Sequence, residues 1–330
     1  MTSEQESSER ERARRLLPPP DHAEPAPGRM EARRRHLLNE VGGHGRSRAP
    51  GLVPGLRRRT VLGLGTVLAV TASAVVLGLG TSDAPDATPP ATAASVQLLE
   101  RAALAAAASS PAKVSAGQYV YIKTVGYTSV LSETAAGRME LLRQDEAMQQ
   151  WTAVDGSERT LRRKGGEDQL LPERPGSGTL NSPTYNYLAA LPDDPEALVR
   201  RIRDEAERNH GSGSDSTTGV DQQSFVTIGD LLRNGVTPPE TAAALYRAAA
   251  LIPGVDVVPD AVDAAGRRGV AVVRVHKGER IEWIFEKSTS RLLGERTVLV
   301  EDSSWGKSGT VVTSVALVES GVVDKAGVVP

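Results

Sequence analysis

The chain has 330 residues, of which 39% are hydrophobic and 24% charged, and its formal net charge is −2. These proportions are typical of a globular protein of one or two domains. Because the sequence contains no cysteine, it excludes disulfides, thiol catalysis, Cys-ligated zinc and a lipobox-type lipid anchor.

Positive charge is concentrated at the start of the chain. Residues 1–60 contain 13 Arg against 8 Asp and Glu, a net of +5, whereas the remainder carries −7. An acidic remainder lacks the basic footprint that nucleic-acid binding needs, so we expect no nucleic-acid partner. Residues 1–56 are predicted to form a cytoplasmic, Arg-rich and mostly disordered tail, because they begin with a long polar stretch interrupted by Pro18-Pro19-Pro20.

One short amphipathic helix is predicted within this tail. Met30, Leu37, Leu38 and Val41 would share one face of it. A helix of this length is marginally stable alone, so these residues are candidate contacts for a cytoplasmic regulator such as a sigma factor. The alternative is a solvated basic tail that only determines the membrane topology.

Residues 57–80 are predicted to be a transmembrane helix with a basic flank. Val61–Gly80 is uncharged over twenty residues, which as a helix would span about 30 Å, the thickness of the lipid hydrocarbon core. Arg57, Arg58 and Arg59 directly precede this run and are the topology-determining residues. We therefore expect a single-pass protein in the cell membrane, in contact with the lipid bilayer, with a cytoplasmic N-terminus and an extracytoplasmic C-terminal domain.

Cleavage of the apolar segment is an alternative to a permanent anchor. Ala72-Ser73-Ala74 resembles a signal-peptidase site, and Arg58-Arg59 loosely resembles a twin-arginine export signal. A signal peptide normally has a short leading region, however, and here that region would have nearly sixty residues. Residues 81–94, rich in Pro, Thr and Ala, are predicted to be a linker, and residues 95–330 the extracytoplasmic domain.

The domain is predicted to begin with a helix and several strands. Ser95 is expected to cap a helix that extends to about Ala108. Strand patterns follow at 117–125, 138–143, 148–154 and 160–164, and Asp155-Gly156 predicts a hairpin turn between the last two.

Helices are predicted in the middle of the domain. Asp194-Pro195 combines an N-cap residue with Pro at the first helical position. A second helix is expected at 225–232. Thr237 to Glu240 forms a capping-box pattern for a third helix, with Leu245 and Tyr246 on its buried side.

Strands are predicted again in the last third, at 270–275, 281–285, 297–300 and 311–318. Ile281, Trp283 and Phe285 would share one face of the sheet. Glu282 and Glu286 lie on the opposite face, which we therefore expect to be solvated. The predicted fold class is therefore α+β, with one transmembrane helix followed by an extracytoplasmic domain that has a largely antiparallel sheet and a helical middle segment.

The sequence contains no recognisable catalytic motif. His210 and His276 lack a second His at metal-ligand spacing, and neither a nucleophile elbow nor a phosphate-binding loop is present. Asp193-Asp194 is better explained as helix capping than as a catalytic pair. We therefore predict no catalytic, cofactor-binding or metal-binding residue, no cofactor and no enzymatic activity, with a hydrolase as the enzymatic alternative.

Seven segments of residues 95–330 carry a resemblance to a known family: Gly117–Tyr121, Trp151–Gly156, Tyr187–Pro195, Ile252–Val255, Asp263–Ala271, Leu292–Arg296 and Val323–Gly327. They resemble a family of actinobacterial single-pass membrane proteins that has no established activity and is often encoded beside extracytoplasmic-function sigma factors. The resemblance implies the topology described above and a regulatory setting, but no catalytic residue.

Two non-enzymatic functions are consistent with these patterns. The first is a regulatory or sensory protein whose outer domain binds an unknown extracytoplasmic ligand or partner. The second is an extracytoplasmic carrier or scaffold for an apolar ligand such as lipid or lipoprotein. The separate tail, the single span and the outer domain make the first our prediction. The second is the alternative, and its cue is the apolar side chains on both faces of 119–122, together with Trp283.

Overall fold

The computed structural model describes residues 88–133, 139–171, 178–211, 216 and 218–330. In these ranges the chain forms five helices and twelve strands. The helices are α1 (Ala93–Ala107), α2 (Tyr185–Ala189), α3 (Pro195–His210), α4 (Val220–Leu232) and α5 (Pro239–Ala249). The strands are β1 (Tyr119–Glu133), β2 (Met139–Asp145), β3 (Met148–Ala153), β4 (Leu161–Lys164), β5 (Glu167–Leu170), β6 (Gly178–Thr179), β7 (Ser182–Pro183), β8 (Val255–Val262), β9 (Arg268–His276), β10 (Glu279–Phe285), β11 (Leu292–Leu299) and β12 (Val311–Val323).

Ten of these strands form one antiparallel sheet. Its order is β5-β4-β3-β1-β12-β11-β10-β9-β8, and β2 pairs with the end of β1. Because β1 is 15 residues long, its first half pairs with β3 and its second half with β2. The other edge of β1 pairs with β12, so strands from the two ends of the described chain lie side by side within the sheet. β6 and β7 form a separate short hairpin.

The helix starts are set by short polar side chains. The Asp194 carboxylate accepts a hydrogen bond from the backbone N–H of Ala197 at 2.8 Å, and Pro195 occupies the first helical position of α3. Both features satisfy or remove N–H groups that have no partner inside the helix. At α1 the cap is Thr92, whose hydroxyl accepts from the backbone N–H of Ser95 at 3.3 Å.

The helices pack on one face of the sheet, which we call the inner face. Ile281, Trp283 and Phe285 of β10 point into this layer and are buried there. Phe225 of α4 stacks on Trp283 with ring centroids 3.9 Å apart and planes inclined by 5°. Tyr246 of α5 meets Phe285 edge to face at 5.7 Å. Such ring pairs stabilise by roughly 0.5–1.5 kcal/mol beyond their buried area.

The opposite, outer face of the sheet is also partly buried. Ala271, Val273 and Ile284 belong to a small apolar cluster there. On the other half of the sheet, Trp151 is buried and its indole N–H donates to the carbonyl oxygen of Val328. The C-terminal segment therefore crosses the outer face and covers the largest side chain on it.

The outer face also holds a buried ion-pair group centred on Glu282. The Glu282 side chain is 0% exposed, and its two carboxylate oxygens lie 2.7 Å from the guanidinium groups of Arg280 and Arg296 respectively. The expectation that Glu282 lies on a solvated face is wrong. Alternation along β10 placed it on the correct face, but the two neighbouring Arg side chains cover it.

The predicted fold class, an α+β domain that follows a transmembrane helix, is wrong. The described chain is mostly antiparallel sheet with few helices. None of the helices in the described ranges has the length and hydrophobicity that a membrane crossing requires. The longest of them, α3, has 16 residues, fewer than the ~20 needed. The predicted span Val61–Gly80 lies outside the described residues.

The sheet is larger than the sequence patterns indicated, for two reasons. β1 continues to Glu133, well beyond the apolar run that predicted it, because β2 and β12 pair with its second half. β8 was missed altogether, because its Pro259 and Asp260 are typical of a turn. These two residues lie at a register shift between Val258 and Ala261, where an edge strand tolerates proline.

Candidate functional site

A cleft of about 150 Å³ opens between the inner face of the sheet and the C-terminal end of α4. Strands β1, β3, β4 and β12 form its floor, and the β6–β7 hairpin and residues 230–234 form its walls. Its lining residues are Ile122, Thr124, Met148, Gln150, Thr152, Arg162, Leu180, Asn181, Ser182, Pro183, Asp230, Arg233, Asn234, Val315 and Leu317.

Strand register brings the floor together. Thr124 of β1 lies opposite Met148 of β3 on one side and Leu317 of β12 on the other. Two residues earlier, Ile122 lies opposite Gln150. Because alternate residues of a strand face the same side, these side chains form one continuous surface under the cleft. The floor is therefore mixed, with apolar and hydrogen-bonding groups at neighbouring positions.

The loop after α4 closes one side of the cleft through a glycine. Gly235 has φ +89°, and a Cβ atom at this position would lie 2.1 Å from Cγ2 of Ile122. A side chain there would therefore both strain the backbone and overlap the floor. The loop thus lies closer to β1 than any other residue type would allow, and this holds Asn234 at the edge of the cleft.

Charged groups of opposite sign meet at this edge. The Arg233 guanidinium pairs with Asp230 one turn earlier on α4, and its Nε lies 3.6 Å from Oε2 of the buried Glu295 on β11. Arg233 therefore bridges the helical layer and the sheet. On the floor of the cleft, Arg162 of β4 donates to Oε1 of Gln150 at 3.3 and 3.4 Å. The lining thus contains two guanidinium groups and one carboxylate.

Two residues that line the cleft carry buried hydroxyl groups without a protein partner. Thr124 is 8% exposed and Ser182 is 7% exposed. Neither Oγ1 of Thr124 nor Oγ of Ser182 has a hydrogen-bond partner among the described residues, and the same holds for Nδ2 of Asn234. The large majority of buried side-chain polar atoms in folded proteins are hydrogen bonded. The same lack of a partner among the described residues is found away from the cleft, at Oγ of Ser224 and at Nε1 of Trp283.

Thr128 shows what the same side chain does when its partner lies within the protein. It lies on the same face of β1, four residues after Thr124, and is 9% exposed. Its hydroxyl is hydrogen bonded to the hydroxyl of Thr313 on β12 at 3.2 Å. The two threonines therefore differ in whether the hydroxyl is bonded within the protein.

The other buried charges of the domain hold structural bonds. Burial lowers the pKa of Arg274, whose guanidinium donates to the carbonyl oxygen of Pro253 at 2.9 Å and to Gln222 at 2.6 Å. The Asp263 carboxylate accepts from the backbone N–H groups of Ala265 and Arg267, which fixes the β8–β9 turn. These contacts hold strands and turns together.

The structure does not assemble a reactive site from the histidines. His210 lies at the end of α3, where its Nδ1 is 2.6 Å from Oγ of Ser216, and His276 lies at the β9–β10 turn. Within the described ranges, no three His, Asp or Glu side chains are grouped as a metal site would require. The lining of the cleft offers hydrogen-bonding, charged and apolar groups for contact with a ligand.

None of the residues that line the cleft was among the site residues predicted from the sequence. The topology-determining residues Arg57, Arg58 and Arg59 lie outside the described residues. So do the candidate partner contacts, which are Met30, Leu37, Leu38 and Val41.

The aromatic residues that favoured an apolar carrier lie elsewhere as well. Trp283 is packed in the inner core, and Tyr119 and Tyr121 face the outer side with Trp151. Of residues 119–122 and Trp283, only Ile122 lines the cleft.

Comparison with known proteins adds little to this description. No protein-family model matches the chain, and no curated protein matches it. Among solved structures the chain is similar to one described as "Crystal structure of MucB", with 13% identity and a TM-score of 0.23. The alignment covers 73% of this chain and 62% of the MucB chain. A TM-score this low supports no conclusion about fold or function.

Proposed function

We propose that the domain is a non-catalytic ligand-binding module with a sensory or regulatory role, and that its ligand occupies the cleft on the inner face. The observation that supports the proposal is the cleft itself, whose lining combines apolar, hydrogen-bonding and charged side chains and includes Thr124 and Ser182. Such a lining is suited to a small ligand that has both apolar and polar groups.

The size of the cleft favours a small ligand over a bulk lipid. An apolar cavity of about 150 Å³ holds one benzene-sized molecule, and pockets for drug-sized ligands are roughly 300–1,000 Å³. A lipid acyl chain would need a longer channel than this cleft provides. The carrier hypothesis also loses the aromatic residue that suggested it, because Trp283 stacks on Phe225 in the core.

The position of Arg233 supports sensing. Its guanidinium pairs with Asp230 on α4 and lies 3.6 Å from Glu295 on β11, at the edge of the cleft. A ligand that contacts Arg233 would compete with both acids and would alter the contact between helix and sheet. Occupancy would then change the packing of α4, which is what a sensor requires.

Thermal unfolding of the full-length protein against a library of small polar fragments tests the proposal. A fragment present at 100 times its Kd should stabilise the folded state by about 2.7 kcal/mol, which raises Tm by roughly 5–10 °C for a domain of this size. The double variant Thr124→Val, Ser182→Ala should lose this shift. The proposal fails if no fragment raises the Tm of the wild type, or if the effective fragments act equally on the double variant.

The output of the sensor is proposed to involve the N-terminal tail. Met30, Leu37, Leu38 and Val41 are the candidate contacts for a cytoplasmic regulator such as a sigma factor. Residues 1–56, used as bait after gentle lysis, should recover one specific protein. Substituting Ser for Leu37 and Leu38 should abolish that recovery, and equal recovery by the substituted bait would contradict the assignment.

A further inference from the structure

Residues 327–330 cover a row of side chains on the outer face of the sheet. Strand register aligns Leu161 of β4, Trp151 of β3, Tyr121 of β1 and Gly321 of β12 across four neighbouring strands. We call these four residues the outer row. At about 4.8 Å between strands, the row is roughly 14 Å long. Trp151 and Tyr121 are both buried, and their ring centroids are 5.3 Å apart.

The covering segment begins at the β4 end of the outer row. A Cβ atom at Gly327 would lie 3.9 Å from Cδ2 of Leu161, so the segment starts over β4. One residue later, the carbonyl oxygen of Val328 accepts a hydrogen bond from the indole N–H of Trp151 on β3. A buried indole N–H usually finds such a partner, and here a backbone carbonyl supplies it. Because this bond involves no side chain of the segment, it suits any extended segment laid in the same place.

The other end of the outer row accommodates a proline. Cγ of Pro330 lies 2.7 Å from the position that a Cβ atom on Gly321 would take, so a side chain at residue 321 would overlap the ring. Proline also restricts the residue before it, here Val329, to extended conformations. Grooves lined by aromatic side chains are a recurring means of binding extended proline-containing segments. The outer row therefore has the features of a peptide-binding groove that the chain's own residues fill.

The covering segment is held less firmly than the strands beneath it. Residues 327–330 belong to no helix or strand, and Val328 and Val329 each keep 50% of their surface exposed. Segments with few buried contacts open locally at a lower cost than unfolding of the whole domain. Opening would expose Trp151 and leave its indole N–H without the Val328 carbonyl. A second segment of the same kind could then take the place of the first.

We infer that the outer row is a docking site for an extended, proline-containing segment of another protein, and that residues 327–330 occupy it as an internal competitor. The recognised segment places a backbone carbonyl over Trp151 and a proline ring against Gly321, as Gly-Val-Val-Pro does here. The row lies on the face of the sheet opposite the cleft, so this inference does not depend on the function proposed above.

Nuclear magnetic resonance of the isotope-labelled full-length protein, titrated with the peptide acetyl-Ala-Gly-Val-Val-Pro-amide, tests the inference. The chain has three Trp, and the variant Trp151→Phe identifies the indole N–H resonance of Trp151. Removing residues 327–330 should lower the Kd of the peptide about tenfold, because a tethered competitor at an effective concentration of about 1 mM opposes a peptide with a Kd of about 100 μM. Alanine in place of the peptide's proline should weaken binding severalfold, because the peptide loses its preset backbone.

A matched pair of glycines changes the competitor and keeps every residue of the chain. Gly327 and Gly309 have φ +88° and +89°, and a Cβ atom at either position would meet no atom closer than 3.9 Å. Gly327→Ala strains the backbone of the covering segment and should lower the Kd of the peptide about fivefold. Gly309→Ala, in the loop between β11 and β12, should leave the Kd unchanged. This comparison decides the question even if the shortened chain folds poorly.

Three results would overturn the inference. The first is that Gly327→Ala and the shortened chain bind no peptide, or bind it with the same Kd as the wild type. The second is equal binding of the proline and alanine peptides. The third is a wild-type dimer that forms as the concentration rises and that removal of residues 327–330 abolishes, since the occupant would then be a second copy of this chain. Tighter binding by Gly327→Ala, with a shift of the Trp151 indole resonance, would support it.

Discussion

The clearest test of the cleft is the substitution Thr124→Val, which should make the ligand-free protein more stable. The hydroxyl of Thr124 is buried, with 8% of the residue exposed, and has no partner among the described residues. Leaving such a group unsatisfied costs roughly 1–3 kcal/mol, and an apolar group of the same shape removes that cost. Because valine has nearly the same shape, we expect a gain of about 1 kcal/mol in the free energy of unfolding.

Thr128→Val is the matched control, with the opposite expected sign. Thr128 is 9% exposed on the same face of β1, but its hydroxyl is bonded to that of Thr313. Its replacement breaks this bond and leaves Thr313 without that partner, at a cost of about 1 kcal/mol. The two variants therefore remove the same atom from the same strand and differ in whether that atom is bonded within the protein.

Urea unfolding of the ligand-free protein, followed by circular dichroism, measures both effects. With an m value of about 2.5 kcal/mol/M, each change shifts the midpoint by about 0.4 M, upward for Thr124→Val and downward for Thr128→Val. The reasoning is refuted if Thr124→Val lowers the midpoint as Thr128→Val does. In that case ordered water would satisfy the Thr124 hydroxyl well enough that no ligand is needed to explain it.

Three further changes test the surrounding structure. Gly235→Ala should destabilise the fold by about 3 kcal/mol and disturb the cleft, because the added methyl group would overlap Ile122 of β1. The control is Gly266→Ala, which has a similar φ but lies in open space and should cost only about 1–2 kcal/mol in the same urea assay. Glu282→Gln should lower the free energy of unfolding by about 3 kcal/mol in thermal melts, because it leaves two guanidinium groups facing a neutral amide. A loss below about 1 kcal/mol would contradict the buried ion-pair group. The hydrogen bond from Arg247 holds the pKa of Glu100 below its usual range, so this pair stabilises the fold above the ordinary glutamate pKa and loses that contribution as the pH falls through the lowered value. Both side chains are substantially exposed, so Glu100→Gln should cost only a few tenths of a kcal/mol near pH 7 and nothing near pH 2 when melts at the two pH values are compared.

Local patterns predicted those elements whose signals are complete within a few residues. The start of α3 follows from Asp194-Pro195, where the carboxylate caps the helix as expected. Asp155-Gly156 correctly predicted that β3 and β4 pair in antiparallel fashion. The buried side of α5 was also predicted correctly, since Leu245 and Tyr246 are both buried. In each case neighbouring residues alone supply the physical cause.

Some local patterns failed because a neighbour competed with them. The capping box predicted at Thr237 does not form. Pro238 takes the cap position, and the Thr237 hydroxyl has no partner among the described residues. At α1 the cap is Thr92, three residues before the predicted Ser95, which is itself buried and donates to the carbonyl oxygen of Val255. Ser95, which the pattern predicted to cap the helix, instead makes a tertiary contact with β8.

The cleft could not be predicted from the sequence, because no segment carries it. Thr124 is one of several polar residues on a strand, Ser182 lies in a two-residue strand, and Asn234 follows a helix end. Each is ordinary in its own context. Asn234-Gly235 was the one available signal, since this dipeptide marks a tight turn, but a turn does not say which strand it will meet. Only the pairing of β1 with both β3 and β12 places the three residues around one space.

The cleft lies where the helical layer ends. Helices α1, α4 and α5 contribute their buried side chains to the core over strands β8 to β11, and that half of the inner face is filled by apolar groups. Over β1, β3 and β4 the cover is thinner, formed by a short hairpin and the loop after α4, so polar side chains of the floor face a space. Arg233 lies at this boundary and joins the last turn of α4 to Glu295 of the sheet. A ligand that drew the guanidinium away from these acids would separate the buried Glu295 from a paired charge, which is costly. If a ligand binds in the cleft as we propose, its contact with Arg233 would therefore alter the docking of α4 on the sheet.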